Sequence, residues 1–411
     1  LMNLKFGLIA LLISSFLASI VQFNFGKTEI TLEKLDTGKG QYIYYDLYKP
    51  KIASEKNKVP FIAIIPGFQR SKEALSNIAI ELSRRGYVVG LIDPYAQGLS
   101  SSSRSRIAAT TQGYGMFALI EHVNESSNFN FINKELLGST GHSMGGNAAI
   151  RGANYFGKKA DEQNKKSLLH SVYVSGYVLT LREEVLKDVR SNVGVSYALY
   201  DEGSFRNELK NWDAANMKIA PESLRTVNSG LKKEEHISEV ELGKYYGDLE
   251  SNTLRVIFNE ELLHPFQPYN AEATANQLAY FETVFGAPIK LDTYDQIWQW
   301  KEFFTLLNMI ISFWLLIPLT RTLLKINFFK TLVKPIPEAL PVQNRVGKTI
   351  FWSVFFISAG IACVTFIPLV EVAKTLFPEA ATRQLTWFFP QRMNNSVMLW
   401  ALLNGSIGIF L

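Results

Sequence analysis

Four stretches without a charged residue divide this chain, and nothing else in it narrows the possible folds as much. Between Lys5 and Lys27 lie 21 uncharged residues, FGLIALLISSFLASIVQFNFG. At about 1.5 Å per helical residue that run crosses a hydrocarbon core of about 30 Å. A second run covers 303–320, a third of 22 residues covers 349–370, and a fourth, 397–411, holds 15. Backbone in lipid has no water to bond, so such runs are expected to be helices. The first reads as a signal anchor or a signal peptide. Its length, and the lack of an A-x-A site after it, favour a retained anchor over 1–26. The second and third read as spans. The fourth is short of the roughly 20 residues a span needs, so the chain is expected to continue past Leu411, and the Leu1 that precedes Met2 leaves its start open too.

Charge orients these segments. Lys and Arg number 42 against 37 Asp and Glu, a surplus of only +5. It concentrates between the second and third runs, where Arg321, Lys325, Lys330, Lys334, Arg345 and Lys348 face the single acid Glu338. Positive-inside bias makes 321–348 the cytoplasmic loop, which places residues 27–299 outside and Lys5 inside. The same bias accounts for the basic cluster without a nucleic-acid partner. Hydrophobic residues make up 47% and charged ones 19%, which excludes a disordered or acidic solvating chain. With Cys363 the one cysteine, neither an intramolecular disulfide nor a multi-cysteine zinc site can form.

Residues 27–299 alternate between two periodicities. Eight β-rich runs recur at 28–36, 41–49, 59–67, 87–93, 136–143, 170–178, 193–201 and 253–260. Helical spacing of apolar residues appears in 71–86, 145–157 and 270–286. Strand, helix, strand in succession predicts an α/β fold, a mostly parallel eight-stranded sheet with helices on both faces. The first two strands have no helix between them and are expected to pair antiparallel at one edge. A C-terminal membrane region, 300–411, follows.

Chemistry concentrates at Gly141-His142-Ser143-Met144-Gly145, a G-x-S-x-G between an apolar strand and a helical pattern. A sharp strand-to-helix turn there exposes a serine hydroxyl at the carboxyl end of the sheet, and flanking glycines admit the strained backbone. Ser143 is therefore the candidate nucleophile. On these residues the chain resembles the α/β-hydrolase family, whose elbow often reads GHSMGG as 141–146 do. The resemblance implies a triad in the order serine, acid, histidine. It points to Asp201, at the end of the seventh strand, and His264, after the eighth, with Glu202 and the more distant Asp213 as rival acids. Of five histidines, His142, His170 and His122 read as structural, and His236 is the competitor for the base. The resemblance also implies an oxyanion hole from the backbone N–H groups of Met144 and Phe68, with Gln69 the alternative donor. Many relatives carry His-Gly where this chain has Pro66-Gly67.

What the resemblance implies is a serine esterase-like or lipase-like hydrolase that needs no metal or organic cofactor. It acts on an acyl ester through an acyl-enzyme; the apolar runs make the bilayer a further partner, and a site held near it makes the substrate a small-molecule or lipid ester. Serine at the elbow disfavours the aspartate-dependent dehalogenases and the cysteine-dependent dienelactone hydrolases. A non-catalytic sensor or partner-binding module of the same fold is the alternative. Asp93, Gly98 and Ser100 read as a structural turn. The pocket cover is expected from 202–252, with Trp212, Tyr245 and Tyr246 as packing or lining aromatics.

Overall fold

Strand β3 (Val59–Ile65) is apolar along its whole length and buried at every position. Alternate side chains of a strand point to opposite faces, so a strand like this needs a core on each side. Phe61, Ala63 and Ile65 enter one core, and Ile62 and Ile64 the other. The computed structural model describes residues 4–105, 107–211, 214–335, 344–378 and 392–410. Around β3 it arranges β1 (Thr28–Gly38), β2 (Gln41–Pro50), β4 (Val88–Ile92), β5 (Ile132–His142), β6 (Ser171–Ser175), β7 (Asn192–Ser196) and β8 (Arg255–Phe258) in the order β1-β2-β4-β3-β5-β6-β7-β8. From β4 to β8 every pairing is parallel, while β2 runs antiparallel to both β1 and β4. Helices Met116–Glu125 and Met144–Gln163 cover one face, and Ser76–Arg84 and Ala271–Phe285 the other. The carboxyl ends of six parallel strands therefore share one edge, where such sheets place ligands.

The eight strands lie where the β-rich runs lie, and their two largest differences are at the seventh and the fifth. The seventh stops at Ser196 rather than Asp201, because Tyr197–Tyr200 leave the sheet as a loop. The fifth begins at Ile132, four residues earlier than expected, in a stretch whose polar residues hide its periodicity. Within 202–252 the structure forms helix Pro221–Asn228. Tyr245 and Tyr246 there pack against the cores rather than the edge that holds Ser143. Trp212 and Asp213, and Glu338 of the basic loop, lie outside the described residues.

The chain forms two compact units: Leu17–Ser101 with Ile107–Phe303, which holds the sheet, and Leu1–Phe16 with Ser102–Arg106 and Phe304–Leu411. Among the described residues three helices are long and apolar enough to cross a membrane: Leu4–Gln22, Trp298–Leu323 and Arg345–Leu376. In the second unit, Ser14 Oγ donates to the Phe304 carbonyl at 3.1 Å. Trp400 Nε1, from helix Arg392–Phe410, donates to the Ala362 carbonyl at 2.7 Å. Such side-chain bonds join helices where hydrophobic driving force between them is weak. In the sheet unit, buried Glu81 accepts from the N–H groups of Ile297 (2.7 Å) and Trp298 (3.0 Å), filling the open donors of that helix start.

Candidate active site

β5 ends at His142, and helix Met144–Gln163 begins one residue beyond Ser143. No room remains for an ordinary connection, and Ser143 takes φ 59° and ψ −122°. A non-glycine residue there is strained and persists only where its surroundings over-determine it. The surroundings are in place: Ser143 N–H donates to the Ser175 carbonyl at 2.9 Å, and Asn147 N–H donates to the Ser143 carbonyl at 3.1 Å. Gly145 explains the close approach of helix to sheet. A Cβ at this position would lie 1.8 Å from the Ile65 carbonyl oxygen.

Asp201 and His264 are brought together by an extension of the β7–β8 pairing beyond the sheet. Tyr197, Leu199 and Tyr200 donate to the carbonyls of Phe258 (3.1 Å), Glu260 (2.8 Å) and Leu262 (3.0 Å), so the two loops zip side by side. His264 Nδ1 then lies 2.7 Å from Asp201 Oδ2, the aspartate buried and the imidazole 24% exposed. The other oxygen, Asp201 Oδ1, accepts from Gly203 N–H at 2.7 Å. Glu202, the rival acid, accepts from the His264 backbone N–H at 3.2 Å and not from the ring. His236 is exposed beyond the short turn Lys233–Glu235. The His264 ring stands against the elbow, its centroid 4.5 Å from that of His142. Ser143 Oγ has no hydrogen bond among the described residues, so the hydroxyl is left open to the edge. Unliganded sites often leave such contacts loose.

The loop after β3 packs on Ser143, since a Cβ on Gly67 would sit 3.7 Å from Ser143 Oγ. Neither Phe68 N–H nor Met144 N–H has an acceptor among the described residues. Gln69 is different: its backbone N–H donates to the Gln97 side-chain oxygen. Gln97 Nε2 meanwhile donates to the carbonyls of Arg70 at 3.0 Å and Gly67 at 3.3 Å. One buried amide thus grips the loop from both sides, a role that the motif DPYAQGLS gave no reason to assign to Gln97. Asp93 serves the turn as expected, accepting from the N–H groups of Lys72 (2.8 Å) and Leu99 (3.0 Å).

Two further residues escaped sequence reasoning. Glu260 lies buried beyond the end of β8, accepting from Ser196 Oγ (2.8 Å) and Asn276 Nδ2 (2.9 Å), and burial raises its carboxyl above the ordinary range. His142 is buried, and its Nε2 has no partner among the described residues, which differs from the satisfied histidine expected there. Burial first, then the positive charge that His264 can carry, holds it well below the usual histidine range, so it stays neutral beside the ring it touches. Among the described residues no cluster of three or more His, Cys, Asp and Glu is placed to hold a metal ion.

A sheet with an antiparallel second strand, the 4-3-5-6-7-8 parallel order, a strained serine between β5 and its helix, and a histidine beyond the last strand decide the architecture. This is the α/β-hydrolase fold. Residues 14–164 match the family described as PET hydrolase-like, a stretch that includes the elbow and stops before Asp201 and His264. Solved structures of α/β-hydrolases similar to this chain include a dienelactone hydrolase from Anabaena variabilis. It is 14% identical, with 63% of this chain and 99% of that one covered and a TM-score of 0.40. An esterase from Pyrococcus furiosus is 12% identical over 63% of this chain and 93% of its own, with a TM-score of 0.43. A 2,6-dihydroxy-pseudo-oxynicotine hydrolase is 13% identical over 64% and 70%, at 0.40. No curated protein matches the sequence.

Proposed function

We propose that the chain is a membrane-anchored serine hydrolase that cleaves an ester or related acyl bond. The observation that carries this reading is the 2.7 Å Asp201–His264 contact held against a strained elbow whose serine hydroxyl is open. Ser143 Oγ attacks the acyl carbon while His264 Nε2 takes its proton, and Asp201 keeps Nδ1–H pointed at itself and stabilises the imidazolium. The N–H groups of Phe68 and Met144 receive the oxyanion. His264 then gives the proton to the leaving alkoxide, and water repeats the sequence in reverse to free the acid. The three apolar helices anchor the enzyme, with residues 27–299 outside the cytoplasm and 321–348 within.

The test uses the full chain in detergent micelles with short nitrophenyl esters and a fluorophosphonate probe. Wild type is expected to turn over and to be labelled. Ser143→Ala is expected to abolish both, and Asp201→Asn to lower kcat by about 10,000-fold with little change in KM. A folded wild type that is neither labelled nor active refutes the hydrolase and favours the non-catalytic module. In intact cells, an impermeant fluorophosphonate that leaves Ser143 unlabelled, while the same probe labels it once the membrane is opened, refutes the orientation.

A further inference from the structure

The two edges of the parallel sheet differ in what they show to solvent. At the carboxyl edge, the loops after β3, β4, β7 and β8 expose Phe68, Leu99, Tyr200, Leu263, Phe266 and Tyr269, with Phe68 54%, Leu99 53% and Phe266 59% accessible. These side chains adjoin the site itself: Phe68 follows Gly67, Tyr200 precedes Asp201, and Leu263 precedes His264. At the opposite edge, the segments 51–58, 84–87, 126–131, 164–170, 187–191 and 248–254 expose no large hydrophobic side chain, and the exposed ones there are Phe23, Phe25 and Tyr294, on the stretches that lead into β1 and follow helix Ala271–Phe285. The segments carry lysines instead, among them Lys51, Lys56, Lys58, Lys165, Lys166 and Lys187. Scattered apolar residues are normal on a surface, but six of them gathered from four loops around one site mark an interaction face.

The chain also leaves this unit at that edge. Helix Ser76–Arg84 starts just after the β3 loop, so Ser76 lies at the carboxyl edge and Arg84 toward the other. Arg84 pairs with Asp295 at 2.9 Å, and Lys301 Nζ donates to Ser76 Oγ at 3.0 Å. Residues 295–301 therefore climb from the amino edge to the carboxyl edge, and the unit ends at Phe303, within an apolar helix long enough to span a bilayer. Trp300 lies exposed on this last stretch, the residue type that collects at a membrane interface.

We infer that the edge bearing Ser143 docks on a lipid bilayer through this apolar rim, and that the substrate is a bilayer-resident lipid ester entering from that surface. The substrate half rests on the serine hydrolase reading; the docking half does not. A rim of this kind wets the acyl chains of a lipid as they leave the membrane, so the ester reaches Ser143 without its apolar part crossing water. A water-soluble ester needs no such rim.

Two measurements on the full chain in single-copy phosphatidylcholine nanodiscs test this. In a Cys363→Ser background, bimane is attached at Leu99→Cys or at Lys56→Cys, an exposed position at the opposite edge. Lipid brominated on its acyl chains is expected to quench the label at 99 at least about threefold more than at 56. Equal quenching, or none at 99, overturns the docking, as does quenching that appears only when copies associate. Separately, Leu99→Ser with Phe266→Ser is expected to slow hydrolysis of a fluorogenic diacyl lipid in the disc about tenfold, while kcat/KM for nitrophenyl acetate stays within about twofold. Equal losses on both substrates, or no loss on the lipid, overturn the substrate assignment. A wild type with no Ser143 labelling fails the hydrolase reading and leaves the bimane result to decide docking alone.

Discussion

Gln97→Met removes the amide that grips the loop 67–70, the proposed source of an oxyanion donor, while keeping the side chain's length and burial. Three hydrogen bonds are lost: Gln69 N–H to the side-chain oxygen, and Nε2 to the carbonyls of Arg70 and Gly67 at 3.0 and 3.3 Å. At about 1 kcal/mol net apiece, with the longest contributing less, the stability loss is about 2 to 3 kcal/mol. The kinetic loss is expected to be larger. Gly67 lies against Ser143, and a drift of about 1 Å takes Phe68 N–H away from the oxyanion, which costs about 100-fold to 1,000-fold in kcat. KM should change little, because the loop donates to charge that develops only in the transition state. Steady-state kinetics on a soluble nitrophenyl ester, at a temperature well below the variant's melting transition, separates the two effects. Gln97→Glu sharpens the comparison, since an ionised carboxylate still accepts from Gln69 but faces two carbonyls it cannot bond. It should be at least as slow as the methionine variant at neutral pH. A Gln97→Met enzyme with the stability loss but with kcat within about threefold of wild type would refute the argument that this amide positions the oxyanion donor.

Gly145→Ala places a Cβ 1.8 Å from the Ile65 carbonyl oxygen, and since backbone on β3 has to retreat by more than about 1 Å, we expect a lower melting temperature and at least about 100-fold less fluorophosphonate labelling. Normal labelling would show that helix and sheet need not approach so closely. Burial raises the Asp46 carboxyl to about 6, against the opposing pull of Lys72 and with further upward pushes from Glu73 and Asp93. The folded state thus holds this proton more tightly than the unfolded chain, so the contribution of Asp46 to stability falls as pH rises from about 4 to about 6. Asp46→Asn should therefore raise stability at pH 8 by roughly 1 kcal/mol after allowance for solvent screening, and change it little at pH 4. Lys72 keeps Glu73 at 3.1 Å and Asp93 at 3.5 Å in that variant, and melting curves at the two pH values decide the sign.

Much of this protein is legible in its sequence because the demands involved are local. A charge-free run of 21 residues declares an apolar helix wherever it is placed, and the unbroken apolar run VPFIAII declares a strand buried on both faces. Gly141-His142-Ser143-Met144-Gly145 likewise announces its own turn, because the steric problem and its glycine solution lie within five residues. Elimination among five histidines reached the His264 that the structure sets beside an aspartate. What tertiary structure alone decided is pairing between distant segments. That Asp201 rather than Glu202 meets the imidazole follows from loops zipped in register beyond the end of β7, across 63 residues of chain. The grip of Gln97 on 67–70, the buried Glu260 and the contact between the His142 and His264 rings depend in the same way on which strand ends meet at the carboxyl edge. The gathering of exposed apolar side chains on that edge is equally invisible in a linear sequence, where Phe68, Leu99, Tyr200 and Phe266 stand tens of residues apart among polar neighbours. Periodicity and local sterics act over a few residues, whereas side-chain partners are set by strand order and register, which no single segment encodes.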